Sequence, residues 1–385
     1  MRLMPSFSIF VSVTNLDLRL YSGACLGYAG RMDITANTEK TAVLLMNLGG
    51  PDSPKAVQPF LYNLFRDPDI FRLPFSFITQ RLFAWLISTT RAPKVIPQYE
   101  ALGGGSPILK LTQAQADALQ AELQARGLNY PVTVAMRYWH PLTHDVVNQL
   151  RREGYNHFIV LPLYPHYSCT TTGSSLNELR RNIQAGGPGV PKLPVKLSVI
   201  PSFWENEKYL KSLADTIEAG LDAHAWGCDR NDVTILFSAH SLPRKFVKKN
   251  KDPYPEQIQA CAERVMQQYF PGNPWQLGYQ SKVGNLVWLG PQTDGMLHYY
   301  AATETDNILM VPISFVSDHL ETLYEIDLEY LQLAKELGLA HCHRAPALNS
   351  APLFIEALAD LIENLVVMAQ KQAAVPHLQV ANVSV

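Results

Sequence analysis

The chain has 385 residues, a net charge of −2, and 47% hydrophobic against 17% charged residues. That length allows two domain-sized units with ample core and excludes a minimal disulfide-stapled fold. The balanced charge argues against a nucleic-acid partner, and no apolar run reaches the roughly 20 residues of a membrane-spanning helix. The five cysteines (Cys25, Cys169, Cys228, Cys261 and Cys342) are odd in number and widely spaced. Such a set points to free thiols in a reducing compartment, not to a zinc site.

Residues 1–40 read as an N-terminal extension, with no basic segment leading into a continuous apolar core as a secretory signal requires. The run Thr41–Leu48 predicts a strand ending in Gly49-Gly50-Pro51. A single Gly-Gly is not a GxGxxG, so a dinucleotide site is not supported. Residues 70–87 are dense in Phe, Leu and Trp but broken by Arg72, Pro74 and Arg81. They suit either a core helix or an exposed apolar lip against a membrane or a large apolar ligand. Gly103-Gly104-Gly105 is either a turn or a place where backbone approaches a ligand closely.

A helix is predicted over 113–126, followed by strands at 132–138, 158–163, 195–200, 233–237 and 275–279. Thr143 is expected to cap a helix that ends at Gly154, and further helices are predicted over 206–223 and 352–370. This alternation implies α/β architecture: two doubly wound domains with mostly parallel sheets and helices on both faces. The first domain takes residues 41–198 plus 343–370 and the second 199–342, with a frayed tail at 371–385.

The most informative stretch is Asn307–Tyr330. An apolar strand, Ile308–Phe315, leads to Ser317 as a candidate helix cap. Asp318, Glu321, Glu325 and Glu329 then fall at i, i+3, i+7 and i+11, one stripe of a helix, with His319 at its head. Like charges four apart cost a helix a few tenths of a kcal/mol per pair, roughly. The stripe is either a solvated acidic face or a row of proton acceptors and metal ligands. Its place just beyond a strand end favours the second reading. His240 likewise follows a buried strand directly, and an imidazole with a carboxylate can act as base or bind a metal ion. The basic run Arg244–Lys251 reads as a solvated helix face.

Several motifs together resemble the ferrochelatase family: FSAHSLP (237–243), QSKVG through WLGPQTD (280–294), SDHLETLYEIDLEY (317–330), NLGGP (47–51), GGGSPI (103–108) and YSCTTTGSS (167–175). The resemblance covers about 41–363 and implies two Rossmann-like domains with a porphyrin cleft between them. It implies insertion of Fe(II) into protoporphyrin IX, with the protoporphyrin-using branch suggested by NLGGP. It further implies His240 and Glu321 as the catalytic and metal-facing pair. Asp318, His319, Glu325 and Glu329 become a proton or metal path on a helix of π character, and Arg91, Tyr99, Arg137 and Trp288 line the porphyrin side. The stretch 70–87 becomes a lip touching the membrane. Some members hold an iron–sulfur cluster by one mid-chain Cys and three near the C-terminus. Cys169 matches the first, but no Cys follows Cys342, so no cluster and no cofactor beyond the iron substrate is expected. The implied setting is cytoplasmic, peripheral to the inner membrane face, as a monomer or homodimer. The rival readings are a two-domain carrier of metal or tetrapyrrole, and a chelatase for another tetrapyrrole with cobalt or nickel.

Overall fold

The computed structural model describes residues 39–71, 76–284 and 286–374. The N-terminal extension apart from residues 39 and 40, the 72–75 part of the aromatic stretch, and the tail from 375 lie outside the described residues.

In chain order the elements are β1 (Thr41–Asn47), α1 (Val57–Phe65), α2 (Ser76–Ala101), α3 (Ile108–Ala125), β2 (Val132–Met136), α4 (Thr143–Arg152) and β3 (His157–Pro162). A π-helical turn, Cys169–Gly173, leads into α5 (Ser174–Ala185) and β4 (Lys196–Val199). The second half has α6 (Glu207–Asp222), β5 (Thr234–His240), α7 (Arg244–Asn250), α8 (Tyr254–Tyr269), β6 (Trp275–Gln280), α9 (Thr293–Ala302) and β7 (Asn307–Pro312). A ten-residue π-helix, Glu321–Tyr330, runs on into α10 (Leu331–Glu336), followed by β8 (His341–Arg344) and α11 (Pro352–Ala374).

The strands form two four-stranded parallel sheets, ordered β2-β1-β3-β4 and β6-β5-β7-β8. The same winding is therefore used twice. Central strands buried on both faces need continuous apolar runs, which is why β1, β3, β5 and β7 are legible. Successive residues still point to opposite faces. Ala42, Leu44 and Met46 pack with Phe158, Val160 and α4 and α5 residues such as Val147 and Leu179. Val43 and Leu45 point the other way, into a core shared with α3, α6, α8 and α11. Ile235, Phe237, Leu309 and Val311 of the second sheet enter that same core. Leu236, Ile308 and Met310 face α9 and α10 instead. Each sheet is thus covered on both sides, and one apolar slab joins their inner faces. The strands run slightly past the expected boundaries at 198 and 342: β4 ends at Val199, and β8 belongs to the second sheet through Arg344.

Local details correct several expectations. Thr143 is the first residue of α4, not its cap, and its hydroxyl donates to the Met136 carbonyl at 3.0 Å. The acid helix opens at Leu320, not at Ser317. The glycine run serves the chain itself. Gly103 and Gly104 take φ of +92° and +101°, and a Cβ on Gly105 would sit 2.7 Å from the Asp52 carbonyl oxygen. Ser106 N–H also donates to the Pro51 carbonyl at 2.7 Å, so the 103–106 turn is pressed against the NLGGP loop. Among the described residues no helix is long and apolar enough to cross a membrane. The described part of 70–87 is neither wholly core nor wholly lip: Gln80 and Ala84 are buried, while Leu82, Trp85 and Leu86 are 64%, 55% and 51% exposed on the opposite side of α2.

Two glycine substitutions should move stability in opposite directions. Gly105→Ala meets backbone that cannot yield, so it should destabilise by about 1–3 kcal/mol. Gly295→Ala meets nothing within 4 Å, at ordinary φ inside α9, and should stabilise by up to about 1 kcal/mol. Thermal unfolding of both variants beside the parent checks this; a lowered Tm for Gly295→Ala or an unchanged one for Gly105→Ala would contradict it.

Candidate active site

The strand order places a site before any side chain is considered. In each sheet the chain winds to one side of its first strand and then to the other, so the order reverses between β1 and β3, and between β5 and β7. Ligands of open α/β sheets sit off the carboxyl ends of the strands at such a reversal. His240 is the last residue of β5, and Glu321 opens the π-helix after β7. The two meet there: His240 Nδ1 lies 2.9 Å from Glu321 Oε2.

Both residues come from the second sheet, one at the end of β5 and one after β7, and touch directly. Adjacent parallel strands lie about 4.8 Å apart, so residues just past their ends are neighbours by construction.

Backbone and side chains hold the pair in place. His240 N–H donates to Ser314 Oγ at 3.2 Å, and Tyr254 O–H donates to the His240 carbonyl at 2.8 Å. Gln280 Nε2 donates to the Glu321 carbonyl at 3.1 Å and to Glu325 Oε2 at 3.2 Å, while its own oxygen accepts from Ser238 Oγ at 2.5 Å. Ser281, with φ of +65°, aims its N–H at Glu325 Oε1 at 2.7 Å and donates its hydroxyl to Glu325 Oε2. A non-glycine residue in that region of φ is uncommon and is retained where surrounding bonds fix it. Tyr330 O–H supplies a further donor to Glu325 Oε1 at 2.8 Å.

The electrostatics separate the two carboxylates. Burial pushes Glu321 up, but the His240 imidazole beside it prevails and the pKa falls below the ordinary value. Burial pulls His240 down, yet the Glu321 charge and hydrogen bond prevail and raise it. Glu325 rises through burial first and the neighbouring Glu321 charge second. The imidazole thus favours the charged form of Glu321, while burial and the Glu321 charge disfavour that of Glu325. His240 Nδ1 is committed to Glu321, which leaves Nε2 as the free ring nitrogen.

The other expected residues separate into distinct roles. Glu329 is exposed, with no ion pair among the described residues, and burial still raises its pKa. Glu321, Glu325 and Glu329 thus run from the interior to the surface. The i→i+5 bonding of the π-helix keeps them on one side, since Leu331 N–H bonds to the Ile326 carbonyl. Asp318 does not join this row. It precedes the helix, and its carboxylate accepts from Arg344 Nη1 at 3.2 Å, Asn349 Nδ2 at 2.9 Å and Thr322 Oγ1 at 3.0 Å. His319 is buried against Phe315, with ring centroids 4.3 Å apart, and donates Nδ1–H to the Ser317 carbonyl at 3.1 Å. Burial lowers its pKa, so it stands neutral.

Tyr99 is buried in an aromatic cluster with Tyr138 and Phe60, against which Leu320 packs. Burial and then the Glu321 charge raise its pKa strongly. Trp288 is half-buried and donates Nε1–H to the Val283 carbonyl at 3.1 Å. Arg91 lies over the Phe65 ring at 5.8 Å. Arg137 is bound into a network with Asp67 Oδ2 (2.8 Å) and Ser174 Oγ (2.8 Å), where Tyr138 O–H also donates to Asp67 at 2.6 Å. A cavity of about 660 Å³ lies beside that network, lined by Arg66, Asp67, Arg81, Arg137 and Glu178 among others, but neither His240 nor Glu321 borders it. Sequence reasoning missed Tyr254, Ser314, Asp67 and Arg344. They are isolated polar residues with no periodic pattern to mark them.

A family model described as Ferrochelatase matches residues 40–366. A protein named Ferrochelatase from Synechococcus sp. (strain JA-3-3Ab) is 47% identical over 84% of this chain and 93% of its own length. Another of that name from Geotalea daltonii is 46% identical over 85% of this chain and 98% of its own length. Among solved structures, SirB from Bacillus subtilis with Fe3+ shares the fold at a TM-score of 0.50 and 12% identity, covering 86% of this chain and 98% of that one. The chain belongs to the ferrochelatase family.

Proposed function

We propose that this chain inserts Fe(II) into protoporphyrin IX to give protohaem, with release of two protons, as the terminal step of haem formation. The observation that carries the reading is the His240–Glu321 contact at the reversal between β5 and β7, backed by a second carboxylate four residues on. A free-base porphyrin must lose two pyrrole protons as iron enters. His240 Nε2 accepts a proton, and Glu321 stabilises the imidazolium that forms. Glu325, with its raised pKa, takes the proton on, and Glu329 hands it to solvent. The remote ring edges supply the binding energy that seats the ring against this pair. Tyr99, Trp288, Arg91 and Arg137 are proposed to line the porphyrin side, Arg137 by holding the Asp67–Tyr138 network beside the aromatic cluster.

The reading requires no resident cofactor. No Cys follows Cys342 to join Cys169 as a cluster ligand near the C-terminus. The chain is proposed to act as a monomer or homodimer. Leu82, Trp85 and Leu86 at i, i+3 and i+4 give α2 an exposed apolar stripe. It supports peripheral contact of 70–87 with the inner membrane face from the cytoplasm.

His240→Ala should lower insertion at least about a hundredfold, followed anaerobically as loss of protoporphyrin fluorescence on adding Fe(II). Near-normal turnover would remove His240 from the chemistry. Tight porphyrin binding by the parent without turnover would make the protein a carrier.

The pH dependence follows from the same pair. Because His240 must be unprotonated to accept a proton and its pKa is raised, the acid limb of kcat/KM should lie above the ordinary imidazole value. Glu321→Gln removes the cause of that rise and leaves burial, so the His240 ring should then titrate at lower pH. Imidazole NMR titration of parent and variant tests the sign; an unchanged titration would show that the contact does not govern His240.

A further inference from the structure

The cavity of about 660 Å³ beside the Asp67 network is lined from α1, α2, α4 and α5. Its wall carries four arginines, Arg66, Arg81, Arg137 and Arg181, against two carboxylates, Asp67 and Glu178. The inner arginines are already answered. Arg137 lies 2.8 Å from Asp67 Oδ2 and 3.7 Å from Glu178 Oε2, and Arg181 lies 3.0 Å from Glu178 Oε2 and 2.9 Å from Asp69 Oδ2. The surplus charge is therefore that of Arg66 and Arg81. Both are exposed, and among the described residues neither guanidinium makes an ion pair or a hydrogen bond.

Packing brings these two cations to one cavity. Arg66 follows Phe65, the last residue of α1, and Arg81 follows Gln80 in α2. The buried Gln80 donates Nε2–H to the Phe65 carbonyl at 2.9 Å, which ties the chain neighbours of the two arginines together. Like charges gathered on one wall repel, and no acid of the chain relieves them there. The first turn of α4 opens on the same space through Thr143 and His144, and its capping position is held by Leu142, whose side chain cannot accept from the helix N–H groups. Asp145, the acid of that turn, lies 3.1 Å from His144. The positive end of the helix thus adds to the arginines. A guanidinium offers paired N–H groups that match the oxygens of a phosphate. A volume of about 660 Å³ exceeds a bare inorganic ion and suits a small organic molecule. His240, Glu321, Arg91, Tyr99 and Trp288 do not border this space.

We propose that this cavity is a binding site for a small phosphate-bearing anion, with Arg66 and Arg81 holding its oxygens and the first turn of α4 facing it. Arg137 and Arg181, paired within the chain, contribute charge to the site. The proposal does not depend on the catalytic reading.

The test is calorimetric titration of the full chain with pyrophosphate, and separately with citrate as a carboxylate of comparable charge, in buffer free of divalent metal. Three variants are compared with the parent: R66Q/R81Q, E178Q, and a control that removes two exposed arginines elsewhere, R152Q/R244Q. The parent should bind pyrophosphate saturably and more tightly than citrate. Loss of charged hydrogen bonds should weaken binding at least about tenfold in R66Q/R81Q, and the control should bind as the parent does. E178Q removes a competing carboxylate from the wall and should tighten binding about threefold. That gain has the opposite sign to general damage, and Tm of each variant shows that it is folded. No saturable binding of pyrophosphate by the parent, parental affinity in R66Q/R81Q, or an equal loss in the control would each overturn the proposal. So would preference for citrate, or weaker binding by an E178Q variant of parental Tm. Abolition of pyrophosphate binding by saturating protoporphyrin would assign the arginines to the porphyrin instead and would also overturn it.

Discussion

The adjacency of β5 and β7 is the constraint from which the site follows. Parallel pairing fixes Ser238 beside Pro312 and Phe237 beside Val311. Whatever follows the two strands must therefore emerge within a few ångströms. His240 arrives at the end of one and the π-helix begins shortly after the other. Their meeting needs no loop to fold over a distance, and so can be rigid. The supporting groups come from the same region: Gln280 ends β6, the other neighbour of β5, and Ser281 follows it. Three adjacent strand ends thus supply the imidazole, both carboxylates and the donors that hold them.

The row of acids shows how environment outranks composition. Three glutamates four residues apart are chemically identical, and on an exposed helix they would only repel. Here Glu321 has an imidazole partner, Glu325 has four donor contacts but a charged neighbour, and Glu329 meets water. The donors on Glu325 satisfy a group that would otherwise be costly to bury. Their number also explains why Ser281 keeps a backbone conformation few residues adopt.

Much of this was legible because the signals were local. Buried parallel strands announce themselves as apolar runs, and His240 and Glu321 could be placed from their distance past those runs. β8 was missed because an edge strand needs no such run: the segment His341-Cys342-His343-Arg344 is half-buried throughout and carries no apolar pattern. Asp318 was misread because periodicity measures phase, not where a helix begins. In phase with the acids, it still stands before the first turn and is drawn off by Arg344 and Asn349. The direct His240–Glu321 contact and the Asp67 network depend on how separate segments pack, and no single window of sequence carries that information.

The winding repeated in the two sheets has a consequence for how chemistry is divided between them. Each third strand is followed by a π-helical turn, Cys169–Gly173 in one half and Glu321–Tyr330 in the other. In the first half that turn is built of Cys, Thr and Gly, and Asp252 from the second half stoppers it through Ser168 and Cys169. In the second half the equivalent turn is lengthened and acidic. One frame is thus used twice with different residues at its two turns: the first is tied to the other half through Asp252, and the second carries Glu321, Glu325 and Glu329.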